Sequence, residues 1–181
     1  MQLARVLMKS IVANDGRFDE DHFRKAYVEF MTTEGSHNDT YASTCHRMFF
    51  ANMIFHDKDP RDCPDNDGHN VDTVDGLVLP SVTALAEAAR QLSRAENAGG
   101  GGVDAAGKKA IKQAAARTAA VTRASSVLEQ TSEAWAGLIQ EALATPRGPG
   151  GDANEMEPPL RDMARQLGLG VPRPNRRDQM R

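Results

Sequence analysis

The sequence predicts an all-α fold of about seven helices, and three observations carry that prediction. Apolar residues recur at steps of three and four in one segment after another. No stretch shows the short alternation with β-branched enrichment that a sheet needs. The periodic segments are separated by turns built from Gly, Pro, Asn and Asp, such as Asn14-Asp15-Gly16 and Thr33-Glu34-Gly35.

Composition bounds the function classes. At 181 residues and 40% hydrophobic content the chain suits one domain with a buried core. No apolar run approaches the roughly twenty residues needed to span a bilayer, so no membrane partner is expected. Met1-Gln2-Leu3-Ala4-Arg5 lacks the order of a signal peptide, and a cytoplasmic setting is the expectation. Cys45 and Cys63 are too few for a disulfide framework and read as free thiols. A net charge of −3 argues against nucleic acid as a partner, even though Arg173, Arg176, Arg177 and Arg181 gather in the tail. All five histidines, and every aromatic residue except Trp135, precede residue 70, which places specific chemistry in the first half.

In chain order, Leu3, Val6, Leu7 and Ile11 mark one face of a helix ending at Asn14-Asp15-Gly16. That helix opens without a cap, which predicts further sequence upstream. A second helix starts near Asp19 and carries the stripe Phe23, Ala26, Tyr27 and Phe30, read as core. A third is predicted over 38–55, capped by Asn38 or Asp39, with Tyr41, Cys45, Met48, Phe49, Met53 and Phe55 along it. Val71, Val74, Leu77 and Val78 continue a helical face, and Gly76 and Pro80 predict a break near Leu79-Pro80. Ser81 to Leu92 then reads as a separate short helix with Val82, Leu85, Ala86 and Ala89 inward.

The glycines Gly99 to Gly102 predict a flexible insertion near 97–104. Ala105 to Thr122 is alanine-rich, with few large side chains to bury and a solvated basic face of Lys108, Lys109, Lys112 and Arg117. Ser126-Val127-Leu128-Glu129 has capping-box spacing and opens a helix with Leu128, Thr131, Trp135, Leu138 and Ile139 on its apolar face. A loop over 145–156 leads to a last helix from Pro159, closed by Gly168. One helical domain therefore covers 1–169, and 170–181 reads as a disordered basic tail.

The chemistry-bearing stretches are two glycine-containing polar loops, Gly35-Ser36-His37-Asn38-Asp39-Thr40-Tyr41 and Asp65-Asn66-Asp67-Gly68-His69-Asn70-Val71-Asp72-Thr73. Short polar side chains and backbone N–H groups held by a rigid helix converge readily on a ligand. The plainer reading is a pair of capping turns, since Asn, Asp and Ser are preferred N-caps.

The residues Phe30-Met31-Thr32-Thr33-Glu34-Gly35-Ser36-His37-Asn38-Asp39-Thr40-Tyr41, Cys45-His46-Arg47-Met48-Phe49-Phe50 and Gly68-His69-Asn70-Val71-Asp72-Thr73-Val74-Asp75-Gly76-Leu77 resemble the middle of an ADP-ribosylglycohydrolase, related to the dinitrogenase reductase-activating glycohydrolases. The similarity extends more faintly through Thr122-Arg123-Ala124-Ser125-Ser126. It implies an orthogonally packed all-helical fold, here an internal piece of a longer member. It also implies hydrolysis of the glycosidic bond joining ADP-ribose to a side chain or small acceptor, with magnesium beside the scissile ribose in the complete family fold. By that resemblance Ser36, His37, Asn38, Asp39, Gly68, His69, Asn70, Asp72 and Thr73 are the ligand-facing residues, and ADP-ribose or an ADP-ribosylated substrate is the partner.

The family's acidic metal motifs, Thr-Asp-Asp and Asp-x-Asp-Thr, have no full counterpart here. Asn70-Val71-Asp72-Thr73 imitates the second with Asn for the first Asp, and no residue of this chain is assigned to metal or to a catalytic role. Two other classes stand beside this reading. Cys45, His46, Cys63 and His69 have zinc-ligand chemistry but neither a Cys-x-x-Cys nor a His-x3-His pair. A non-catalytic helical ligand-binding or interaction protein derived from the fold is the third.

Overall fold

The computed structural model describes residues 2–37, 41–100, 102–144 and 157–168. Among these the architecture is all-α, without a strand, as the periodicities predict. The helices are α1 (Gln2–Ala13), α2 (Glu20–Thr32), α3 (Thr44–Phe55), α4 (Val78–Asn97), α5 (Ala105–Ala120), α6 (Ser126–Ala144) and α7 (Glu157–Gln166), with a single 3-10 turn, Val74–Leu77, leading into α4. No helix among the described residues is long and apolar enough to cross a membrane.

The first two helices form where their caps say they should. Gly16, at φ +77°, takes the left-handed conformation that closes α1, and its N–H reaches the Ile11 carbonyl at 2.9 Å. Asp19 caps α2 by accepting from the His22 N–H at 2.8 Å. Leu7 and Ile11 of α1, Phe23 and Tyr27 of α2, Phe49 of α3, Cys63 and Val121 make one apolar core. Tyr27 meets Phe49 edge-on at 5.0 Å between ring centroids, which is how α3 is seated on α2.

A second core joins α4, α5 and α6 through Ala84, Ala88, Ile111, Ala115 and Ala136. The alanine-rich helix is thus the central one. Its lack of large side chains lets two neighbours approach closely, and dispersion between dense backbones replaces side-chain bulk. The expected basic face is outward at Lys108, Lys109 and Arg117, and Lys108 stands 3.6 Å from Glu141 of α6.

Four local expectations are corrected. Helix α3 begins at Thr44 and not at 38, because the first helical bond runs from the Arg47 N–H to the Ser43 carbonyl at 3.1 Å. Tyr41 therefore lies outside the helix, 71% exposed, with the Arg47 guanidinium 5.6 Å from its ring centre. Pro80 does not break the chain into two helices. It is the third residue of α4, in the first turn where backbone N–H groups have no helical acceptor to lose, and α4 runs on to Asn97.

The expected inward face of α4 holds at Val82 and Ala86, which pack half-buried against the first core, but the fully buried residues are Thr83, Ala84, Glu87 and Ala88, while Leu85 and Ala89 are exposed. One residue of offset turns a helix by about 100°. Toward α5 the helix presents Ala84, Ala88 and Thr83, and the Thr83 and Thr118 hydroxyls lie 2.9 Å apart, with Thr118 donating to the Ala114 carbonyl at 2.8 Å. Finally, α6 is capped one residue upstream of the expected capping box: Ser125 Oγ accepts from the Leu128 N–H at 3.0 Å. Near 97–104, Asn97 ends α4 and Asp104 caps α5 by accepting from the Gly107 N–H at 2.7 Å. The loop 145–156 and the tail 170–181 lie outside the described residues.

Candidate functional site

The second polar loop is anchored at both ends. At its start, Asn52 on α3 donates through Nδ2 to the Cys63 carbonyl at 3.0 Å and to Asp65 Oδ2 at 3.1 Å. Asn52 is itself buried, so the helix does hold the loop at a fixed place. Those bonds, with the Asn66 N–H, keep the Asp65 carboxyl below its ordinary range.

At its end stands Arg123, buried in the connection between α5 and α6. Its Nη1 donates to the Val71 carbonyl at 2.8 Å and to Thr73 Oγ1 at 3.1 Å, and its Nη2 to Asp75 Oδ2 at 2.6 Å. Thr73 also donates to Asp75 Oδ1. Burial alone would raise the Asp75 carboxyl, but the Thr73 hydroxyl and the Arg123 guanidinium outweigh it and hold the group low. Gly76 makes this close approach possible. A Cβ there would lie 2.8 and 2.9 Å from the two Leu128 Cδ atoms and 3.1 Å from Arg123 Nη1. Gly76→Ala is expected to cost about 1–3 kcal/mol as overpacking, read as a lower urea midpoint; an unchanged midpoint would show that Leu128 yields freely.

Between the anchors the loop folds around Asp67. Its carboxylate accepts from the N–H groups of Asn70 at 2.8 Å and His69 at 3.1 Å and from the Asn70 amide at 2.8 Å. These bonds, led by the Asn70 N–H, draw its pKa down to about 2. The Gly68 N–H, with Gly68 at φ +70°, goes to Asn66 Oδ1 at 2.8 Å. The donors expected to face a ligand are thus satisfied inside the loop, and an anion would have to exchange with Asp67 to use them. Asp72 is exposed, with a long contact of 3.4 Å from the Asn66 amide.

The first loop is placed elsewhere. Ser36 donates to the Phe30 carbonyl, and the His37 ring lies 5.5 Å from that of Phe30. Ser36 lines a hollow of about 290 Å³ with Gln2, Arg5, Val6, Lys9 and Phe30. Asn38 and Asp39 lie outside the described residues.

Below the Arg123 clamp is a group that sequence reasoning missed as a unit. His46, on α3, lines a cleft of about 190 Å³ with Asp75, Thr122 and Arg123, and its Nδ1 is 2.8 Å from the Tyr27 hydroxyl. Burial, reinforced by the nearby Arg123 charge and opposed by Asp75, lowers the His46 imidazole to about 4. Burial also raises the Tyr27 phenol far above its ordinary range. The signals were in hand separately, as Cys45-His46 and Thr122-Arg123, but nothing in their spacing joins residues 77 positions apart.

Among the described residues neither metal reading finds a ligand set. Cys45 Sγ is 3.1 Å from Ser43 Oγ, Cys63 donates to the Asp59 carbonyl at 3.2 Å, His46 faces Tyr27 and His69 is exposed. The carboxylates of Asp65, Asp67 and Asp75 are engaged separately, by Asn52, by Asn70 and by Arg123, and among the described residues no three His, Cys, Asp or Glu side chains converge as a metal would require. Magnesium does not fit these residues. No family model, curated protein or solved structure matches the chain.

Proposed function

We propose that the chain is an ADP-ribosylglycohydrolase-like helical protein that recognises ADP-ribose through the loop from Asp65 to Thr73, with binding separated from hydrolysis in the residues described. The observation that carries the reading is the two-ended anchoring of this loop by Asn52 and Arg123. A loop fixed in this way presents its polar edge without paying the entropy of ordering it on binding. The all-helical architecture is of the kind the resemblance implies, which supports the reading without specifying it.

Binding is weak on this reading, because a phosphoryl group must displace Asp67 from the His69 and Asn70 N–H groups. Turnover by these residues is absent, because their carboxylates do not gather to position a metal beside a ribose. In a longer chain carrying both acidic motifs, hydrolysis of the ADP-ribose linkage is expected.

Titration calorimetry with ADP-ribose, beside a release assay on ADP-ribosylated protein with magnesium present, tests this. A dissociation constant of roughly 0.1–1 mM is expected, weakened several-fold by Asn70→Ala or Asp72→Ala, with no release. Robust magnesium-dependent release by the 181 residues would make Asn70-Val71-Asp72-Thr73 a metal motif after all. Absence of any ADP-ribose binding would remove the reading itself.

A further inference from the structure

The cleft under the Arg123 clamp carries an inference independent of ADP-ribose. Its apolar wall comes from Leu3 and Ala4 of α1 and Leu79 of α4, and its polar wall from His46, Asp75 and Arg123. The polarity of that wall follows from hydrogen-bond counting. Tyr27 is fully buried, and among the described residues its hydroxyl meets only His46 Nδ1. If Nδ1 carried a proton, the phenolic hydrogen would be left buried without an acceptor. The phenol therefore donates, and the neutral imidazole keeps its proton on Nε2, a nitrogen with no partner among the described residues.

Arg123 has five N–H groups. Its bonds to Val71, Thr73 and Asp75 leave the Nε–H and one Nη2–H without a partner among the described residues. The Asp75 oxygens each accept one bond and keep a further lone pair. His46, Arg123 and Asp75, the residues that carry these spare donors and this acceptor, line the same small cleft.

We propose that this cleft is a subsite for a small carboxamide, whose carbonyl oxygen accepts from His46 Nε2–H and the spare Arg123 N–H while its NH2 group donates to Asp75. A carboxylate would meet the Asp75 charge with no proton to offer it. An ammonium group would meet the Arg123 charge and a donating imidazole. A short alkyl substituent packs on Leu3, Ala4 and Leu79, consistent with a cleft of about 190 Å³.

The experiment uses the full chain labelled with 15N and follows the ring nitrogens of His46 and the guanidinium of Arg123 by NMR. The unliganded chain is expected to show the Nε2–H tautomer. Isobutyramide is expected to shift both signals saturably at millimolar concentrations, with isobutyrate and isobutylammonium at least about tenfold weaker. Ala4→Met, which fills the apolar wall, is expected to abolish the amide response while the tautomer is kept. An Nδ1–H tautomer, equal response to the carboxylate or the ammonium, no response to the amide, or an amide response that survives in Ala4→Met would each overturn the proposal. Should Ala4→Met fail to fold, the tautomer and the three-ligand series on the unaltered chain decide it.

Discussion

Arg123→Met is expected to lower the stability of the chain by about 3 kcal/mol, the largest loss from any single side chain of the loop scaffold. Methionine keeps most of the length and apolar volume, so the loss reports the guanidinium alone. Removing it takes one of two donors from the carbonyl of the fully buried Val71, which keeps only the Thr73 N–H at 3.0 Å, and strips Thr73 and Asp75 of the guanidinium they share. Asp75 itself is well exposed, so its ion pair contributes the smaller part. Urea unfolding monitored by helical circular dichroism measures the change. A loss under about 1 kcal/mol would mean that water replaces the guanidinium and that the loop is not clamped from this side.

The second large effect is a loss of stability in mild acid. The native imidazole of His46 is held near 4, against an ordinary value of about 6.5 in the unfolded chain. Between those values the unfolded state binds the proton and the folded state does not, so stability falls as pH drops through that window and is flat above it. The expected loss is about 3 kcal/mol between pH 7 and pH 4. The carboxyls held low, Asp65, Asp67 and Asp75, lose their stabilising contribution only below about 3.8, so the two effects separate along the pH axis. His46→Asn offers Tyr27 an uncharged acceptor and should flatten the profile between pH 6.5 and 4. If the variant and the parent lose stability alike over that range, His46 is not the group being protonated.

The helix boundaries legible in the sequence were those fixed by local chemistry. Asp19 and Gly16 work within one turn of the backbone they satisfy, and so can be read from their neighbours. Pro80 misleads because its effect depends on its position in the helix, and that depended on the 3-10 turn before it. The face of α4 is half legible, for a different reason. Hydrophobicity favours burying Leu85, but α4 is held between two cores, with Val82 and Ala86 against the first and Ala84, Ala88 and Thr83 against α5, which leaves Leu85 exposed.

The same division runs through the site. Gly68, His69, Asn70, Asp72 and Thr73 were recognisable as a polar loop, and so were Ser36 and His37. Whether their donors were free was not, because the loop bends back on Asp67 and uses them internally.

By itself the sequence determined that the chain is helical, where most of its helices begin and end, and that its reactive side chains lie in the first half, since periodicity, capping and composition are local properties. Only the tertiary structure decided that Arg123 clamps the loop and that the buried Tyr27 hydroxyl meets His46. Those contacts join residues 52 and 19 positions apart, and their strength comes from burial that no local pattern records.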